Sequence, residues 1–281
     1  MASKLGILAG GGPLPGYLIE SCRTTGRDVF VIAFEGQADP DVVEAAPHAW
    51  VRLGAAGTAL DHLRQEGVEE IVMAGPVRRP TLRELRPDRR AARFLGLGLL
   101  NKGDDGLLGA IVQTLEEEGF RVIGVDEILV DLTAPHGPFG GFQPPDDIEA
   151  DIAQGVAVLH ATGSLDIGQA VVVQQGIVLG IEAAEGTHNL LERCGPLRRE
   201  GRGGVLVKLP KPGQETRADM PTIGTDTVRA ASAAGLAGIA VGAGATLVLD
   251  RAELVKLANS EELFVTGIRP TDYVAGYDTP S

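Results

Sequence analysis

The sequence predicts an α/β protein of two domains, and three observations carry that prediction. Apolar runs of strand length alternate with helical runs through the first half of the chain, the rhythm of a parallel sheet with helices on both faces. Residues 134–145, APHGPFGGFQPP, then bring four prolines and three glycines with no helical period, the composition of an exposed linker. The length of 281 residues suits two modest domains, at roughly 100–200 residues each. The expected division is a Rossmann-like domain over 1–133, a linker over 134–145, and a second α/β domain over 146–281.

In order along the first domain, residues 4–9 form a short apolar strand, followed by a glycine turn and a helix over 14–25. Strands follow at 28–34 and 49–53, a helix at 57–66 and a buried strand at 70–74. Helices are expected at 81–100 and 106–118, with a closing strand at 121–125. The second domain restarts with a helix over 146–162 and strands at 170–174 and 177–182. A helix at 187–199, a strand at 205–209 and a helix at 227–234 come next, and a strand–helix–strand run ends the domain. Its strand order does not follow from the pattern. Residues 230–249 carry no charge, a length that could span a bilayer. Alanine and glycine dominate this stretch, so it reads as a buried helix, a turn and a buried strand. The run MASKLGILAGGG at the start reads as a first strand and not a signal peptide.

The formal charge of −13 and sequence pI near 4.8 argue against a nucleic-acid backbone as partner. With aromatic residues at only 4%, no base-stacking platform is visible either. Cys22 and Cys194, far apart, fit a reduced cytoplasmic protein better than a disulfide scaffold. The five histidines and two cysteines never approach the close spacings zinc prefers, and no Gly-x-Ser-x-Gly elbow occurs.

The densest chemistry lies at 206–227, LVKLPKPGQETRADMPTIGTDT. There Lys208, Lys211 and Arg217 mix with Glu215, Asp219 and Asp226 among helix breakers. Irregular loops held by rigid elements tend to carry binding and catalytic groups. Lysine and arginine can hold phosphate oxygens, and carboxylates can hold a hard metal ion or position water. The bland alternative is a solvated turn. Asp226 also reads as a competent helix cap.

Four more places stand at element ends. Gly10, Gly11 and Gly12 lie between the first strand and first helix, where glycine lets a backbone approach a phosphate. Their spacing fits neither the dinucleotide fingerprint nor a P-loop, and a plain tight turn explains them equally well. Gly75 ends another strand just before Arg78, which could reach a phosphate. The arginines from 78 to 93 could instead form a solvated basic face, or meet anionic lipid headgroups. Asp104 and Asp105 open a helix, as does the run Glu185–His188, with Thr187 an apt N-cap.

Four segments taken together, LGILAGGGPLPG, KGDDGLL, EGTHNLLERCG and the charged loop, resemble a known family across nearly the whole chain. It is the two-domain, metal-dependent UDP-2,3-diacylglucosamine pyrophosphatase family of lipid A biosynthesis, distinct from calcineurin-like phosphoesterases. The resemblance implies hydrolysis to 2,3-diacylglucosamine 1-phosphate and UMP, with water attacking the sugar-side phosphorus and Mg²⁺ or Mn²⁺ as cofactor. It implies catalytic and metal-binding roles for Asp226 and Asp219. Lys208, Lys211, Gln214 and Arg217 would hold the pyrophosphate with Thr187 and Arg78. The glycines Gly10, Gly11, Gly12 and Gly75 would line the nucleotide–sugar cleft. Family members usually carry Asp where His188 stands, and often Phe where Ala218 stands. The lipid substrate implies peripheral contact with the inner membrane, and the apolar run 94–100 is a candidate acyl wall that ordinary core packing also explains. Two other classes compete: a dinucleotide- or nucleotide-sugar-dependent enzyme using the first domain, and a non-enzymatic lipid or nucleotide sensor.

Overall fold

A computed structural model describes residues 2–78, 85–95 and 104–274. The chain divides into two compact units, one of Met1–Val130 with Arg217–Asp219, the other of Asp131–Thr216 with Met220–Ser281.

In the first unit the elements run β1 (Leu5–Ala9), α1 (Leu14–Thr25), β2 (Val29–Phe34), α2 (Pro40–Val43), β3 (His48–Val51) and α3 (Ala56–Gln65). Then come β4 (Glu70–Ala74), α4 (Arg89–Leu95), α5 (Asp104–Glu117), β5 (Arg121–Val122) and α6 (Val125–Ile128). The five strands are all parallel, in the order β3-β2-β1-β4-β5. That order reverses between β1 and β4, the switch point at whose carboxyl edge doubly wound sheets bind ligands. Phe30, Ile32, Leu60, Leu63, Ile71, Val112, Leu115 and Val122 form the core between one sheet face and α3 and α5, with Ala218 packed against it. Asp88 joins two helix starts, because its carboxylate accepts from Gly57 N in α3 and from Ala91 N in α4, each at 2.7 Å. On the opposite edge Glu70 meets Arg27, and Arg121 at 2.7 Å. Burial pushes the Glu70 carboxyl up, but the hydrogen bond from Ser3 and the two guanidiniums outweigh it and hold the group below its ordinary value.

The second unit contains β6 (Gly137–Pro138), α7 (Glu149–Gly163), β7 (Ala170–Gln174), β8 (Ile177–Ile181), α8 (Gly186–Cys194) and β9 (Val205–Lys208). It continues with β10 (Thr222–Ile223), α9 (Thr225–Ala233), β11 (Gly238–Gly242), β12 (Leu247–Val248), α10 (Arg251–Ser260) and β13 (Phe264–Ile268). Six strands make a mixed sheet, β6-β13-β11-β9-β7-β8, in which β13, β11 and β9 are parallel. Strands β10 and β12 form a separate parallel pair. Side chains alternate across the sheet with the period of two that strands impose. Val172, Leu206, Ile239 and Val265 face Leu190, Val228, Ala231 and Leu254 of α8, α9 and α10. Val171, Val173, Val205 and Val207 face Ile152, Val156 and Leu159 of α7. The result is three layers, helix on sheet on helix.

The β7–β8 hairpin turns through Gln175 and Gly176, at φ of 54° and 72°. Two consecutive left-handed residues are what a two-residue hairpin of primed type requires. Asp151, buried on α7, accepts from both turn amides, Gln175 N at 2.8 Å and Gly176 N at 2.6 Å.

Several sequence expectations shift. Residues 134–145 supply β6, which pairs antiparallel with β13, and Gly141 N donates to Asn259 Oδ1 at 2.6 Å. Pro138 is tolerated there because an edge strand has one side with no neighbour to bond. The strand expected at 121–125 stops at Val122, since α6 begins at Val125. The helix expected at 187–199 gives way to a 3₁₀ turn at Gly195–Leu197, where Pro196 has no amide to continue the ladder. Of the helix expected at 81–100, residues 85–95 lie among the described residues and the helix there runs Arg89–Leu95; most of the run 94–100, Lys102 and Gly103 lie outside them. The uncharged stretch 230–249 is divided between the end of α9, β11 and β12. Among the described residues no helix is long and apolar enough to cross a membrane.

Candidate active site

At the switch point of the first unit the two glycine loops abut. Gly10 N donates to Ala74 O at 2.8 Å and Gly11 N to Pro76 O at 2.9 Å. A Cβ on Gly10 would fall 2.5 Å from Gly75 O, and one on Gly75 would fall 2.1 Å from Gly11 O. Gly75 also has φ of +87°. Backbone packed on backbone therefore accounts for glycine at both positions. Gly12, at φ +73°, turns the chain into α1. Arg78 is exposed, and its backbone amide donates to Gln37 Oε1 at 2.8 Å, tying the β4 loop to the loop after β2.

In the second unit the loop after β9 leaves the carboxyl edge of the parallel strands. Lys208, the last residue of that strand, is only 7% exposed. Its Nζ donates to Thr187 Oγ1 at 2.8 Å, and that hydroxyl donates to Glu182 Oε1 at 2.7 Å. The other Glu182 oxygen accepts from Gln169 N at 3.1 Å. Thr187, expected as a cap, thus turns its hydroxyl away from the helix end. Glu185 occupies the N-cap position without a side-chain cap bond, and its carboxyl is held low by its own backbone amide and by Arg193.

Three residues after Lys208, Lys211 Nζ pairs with Asp166. Gln214 closes the turn after it: Gln214 Oε1 accepts from Lys211 N at 2.8 Å, and Gln214 N donates to Lys211 O at 3.1 Å. A Cβ on Gly163 would lie 2.6 Å from Pro212 Cδ, so the turn rests directly on the end of α7. The structure thus brings Lys208 to Thr187, and Lys211 to Gln214.

The remaining residues are divided between the two units. Arg217 pairs with Glu116 at 2.7 Å within the first unit, where exposed Asp219 also lies. Asp226 belongs to the second unit, in the first turn of α9 and exposed. Gly224 holds the N-cap position and Thr227 Oγ1 accepts from Gly224 N at 3.4 Å, so capping does not fall to Asp226. Among the described residues no three His, Cys, Asp or Glu side chains gather as a metal cage. Mg²⁺ needs no such cage, since it takes one or two carboxylates and completes its shell with water and substrate phosphate. His188 is exposed, and burial pushes both the Cys22 and Cys194 thiols up, against a thiolate nucleophile.

Residues 4–132 match the LpxI N-terminal domain and residues 135–266 the LpxI C-terminal domain. The chain belongs to the LpxI family. A curated LpxI relative from Caulobacter vibrioides (strain ATCC 19089 / CIP 103742 / CB 15), named UDP-2,3-diacylglucosamine pyrophosphatase LpxI, is 42% identical over 277 residues. The match covers 96% of this chain and 99% of that LpxI protein.

Sequence reasoning missed Glu182, Asp166 and Gln37. Each lies on a different element from the residue it holds, so no local spacing announces it. A weak signal existed for Glu182, a carboxylate closing an otherwise apolar strand run, IVLGIE.

Proposed function

We propose that this chain hydrolyses the pyrophosphate of UDP-2,3-diacylglucosamine, giving 2,3-diacylglucosamine 1-phosphate and UMP. The observation that carries the reading is the near-complete match to a relative named for that activity. The buried Lys208 at the carboxyl edge of the inner parallel strands supports it chemically. Water adds to the sugar-side phosphorus, the bond from that phosphorus to the bridging oxygen breaks, and UMP leaves with the bridging oxygen. Charge on two phosphates must be neutralised for this, and fixed cations do so without reorganising.

In this reading Lys208 and Lys211 hold pyrophosphate oxygens, and Thr187 and Gln214 fix those two lysines. Gly10, Gly11, Gly12 and Gly75 line the nucleotide–sugar cleft. Asp226 takes the metal or orients water, and Asp219 is a second candidate for the metal. When bound, Mg²⁺ or Mn²⁺ would supply charge neutralisation on the phosphates. The setting is the cytoplasmic face of the inner membrane, where the lipid substrate is met peripherally.

The test is UMP release from UDP-2,3-diacylglucosamine with added magnesium, comparing wild type with Asp226→Ala. Turnover should fall by about a hundredfold or more in the variant, and ¹⁸O from water should appear in the sugar phosphate. Absence of wild-type turnover across several divalent metals would overturn the activity. Full turnover in the variant would overturn the role of Asp226.

A further inference from the structure

We infer that Glu182 is a positioning residue, which aims the Lys208 ammonium through the hydroxyl of Thr187. The inference deepens the reading of Lys208 as a pyrophosphate ligand and rests on it.

The geometry fixes the direction of the hydrogen bonds. Lys208 Nζ, 2.8 Å from Thr187 Oγ1, can only donate. Thr187 has a single hydroxyl proton, and it is directed at Glu182 Oε1, 2.7 Å away. Glu182 is 6% exposed, and its second oxygen is engaged by Gln169 N at 3.1 Å. The carboxylate is therefore held from both sides and cannot swing to take the lysine directly. Polarised by the carboxylate, the hydroxyl becomes a better acceptor for the ammonium.

The route through a hydroxyl has a chemical consequence. A direct Lys–Glu contact would place the carboxylate against the same ammonium that must meet phosphate oxygens. With Thr187 between them, Glu182 orients the cation while standing one group further from an anionic substrate. The three residues come from three places, the residue after β8, the first turn of α8 and the last residue of β9, and these meet at the carboxyl edge of the inner strands. Register supports the placement: Lys208 pairs with Ala170 on β7, and Glu182 N donates to Ala170 O at 2.8 Å.

The experiment has a turnover arm and a binding arm. In the first, kcat and KM are measured for wild type, Glu182→Gln, Thr187→Ser, Thr187→Val, Lys208→Ala and the double variant Glu182→Gln/Lys208→Ala. A glutamine can accept from Thr187 or from Gln169 N through one oxygen only, so Glu182→Gln should lower kcat/KM by about tenfold to a hundredfold. Thr187→Ser should keep most activity and Thr187→Val should resemble Glu182→Gln. On the Lys208→Ala background the Glu182 change should cost no more than about twofold further. In the second arm, inorganic pyrophosphate binding in the presence of magnesium is measured by calorimetry on the same proteins, with urea unfolding confirming that each is folded. Weakened pyrophosphate binding in Glu182→Gln and Thr187→Val, but not in Thr187→Ser, supports the inference whether or not wild type turns over. Equal losses on the wild-type and Lys208→Ala backgrounds would overturn it, as would unchanged pyrophosphate binding in folded Glu182→Gln. Failure of the activity alone would show only in the turnover arm.

Discussion

Replacing Gly75 with alanine tests the claim that the two loops at the switch point of the first unit are built against each other. Two separate costs apply. The backbone at φ +87° lies in the left-handed region, where an L side chain costs roughly 1–2 kcal/mol. The new Cβ would also stand 2.1 Å from Gly11 O and 3.1 Å from Gly10 C. Neither is a flexible side-chain tip, so the β1 loop itself must shift, a strain of about 1–3 kcal/mol. The sum is roughly 2–5 kcal/mol. Gly26 provides the control: its φ is +68°, and a Cβ there meets nothing within 4 Å. Gly26→Ala should therefore cost only the backbone part, about 1–2 kcal/mol. Urea unfolding of both variants, followed by circular dichroism, gives the comparison. A midpoint for Gly75→Ala lower than that for Gly26→Ala supports the reasoning, and equal midpoints refute it, since the loop contact would then carry no strain.

Further expectations can be checked alongside. Asp151→Ala removes a buried carboxylate from two turn amides and should destabilise the chain by about 2–4 kcal/mol, with faster hydrogen exchange at Gln175 and Gly176. Asp88→Ala uncaps α3 and α4 together and should cost about 1–2 kcal/mol, seen as a lower thermal midpoint. Glu70 has a folded pKa held below its ordinary value, so its contribution is complete above the usual carboxylate range and disappears as pH falls through the lowered value. The urea-stability gap between wild type and Glu70→Gln should be widest near neutral pH and should shrink in acid; a gap that stays constant would contradict the linkage.

Much of the fold was legible because long elements announce themselves by period. The strands over 70–74 and 170–174 and the helix over 14–25 follow directly from apolar patterning and glycine boundaries. Among the elements that escaped are β6 and β10, each two residues long and too short to show a period. Proline-rich composition gave residues 134–145 the look of a linker, although backbone pairing at a sheet edge needs little from side chains. At the site, the charged loop was legible as a concentration of chemistry, while its partners were not. Thr187 looked like a helix cap because serine and threonine ahead of a helix usually are. Only the meeting of the end of β8 with the start of α8 and the end of β9 shows that its hydroxyl serves a carboxylate and a lysine instead.

The abutting loops over β1 and β4 bear on how ancestry and chemistry are inferred from shape. Strand order alone would place the first unit among nucleotide-cofactor binders, and the glycines would seem to agree. Here each of Gly10 and Gly75 excludes a side chain from the other loop, so the two positions form a lock that admits change only in concert. A search for cofactor fingerprints scores such a pair as half a motif. A map of paired substitutions would score it as one structural joint, and engineering a dinucleotide site into this unit would first have to open it.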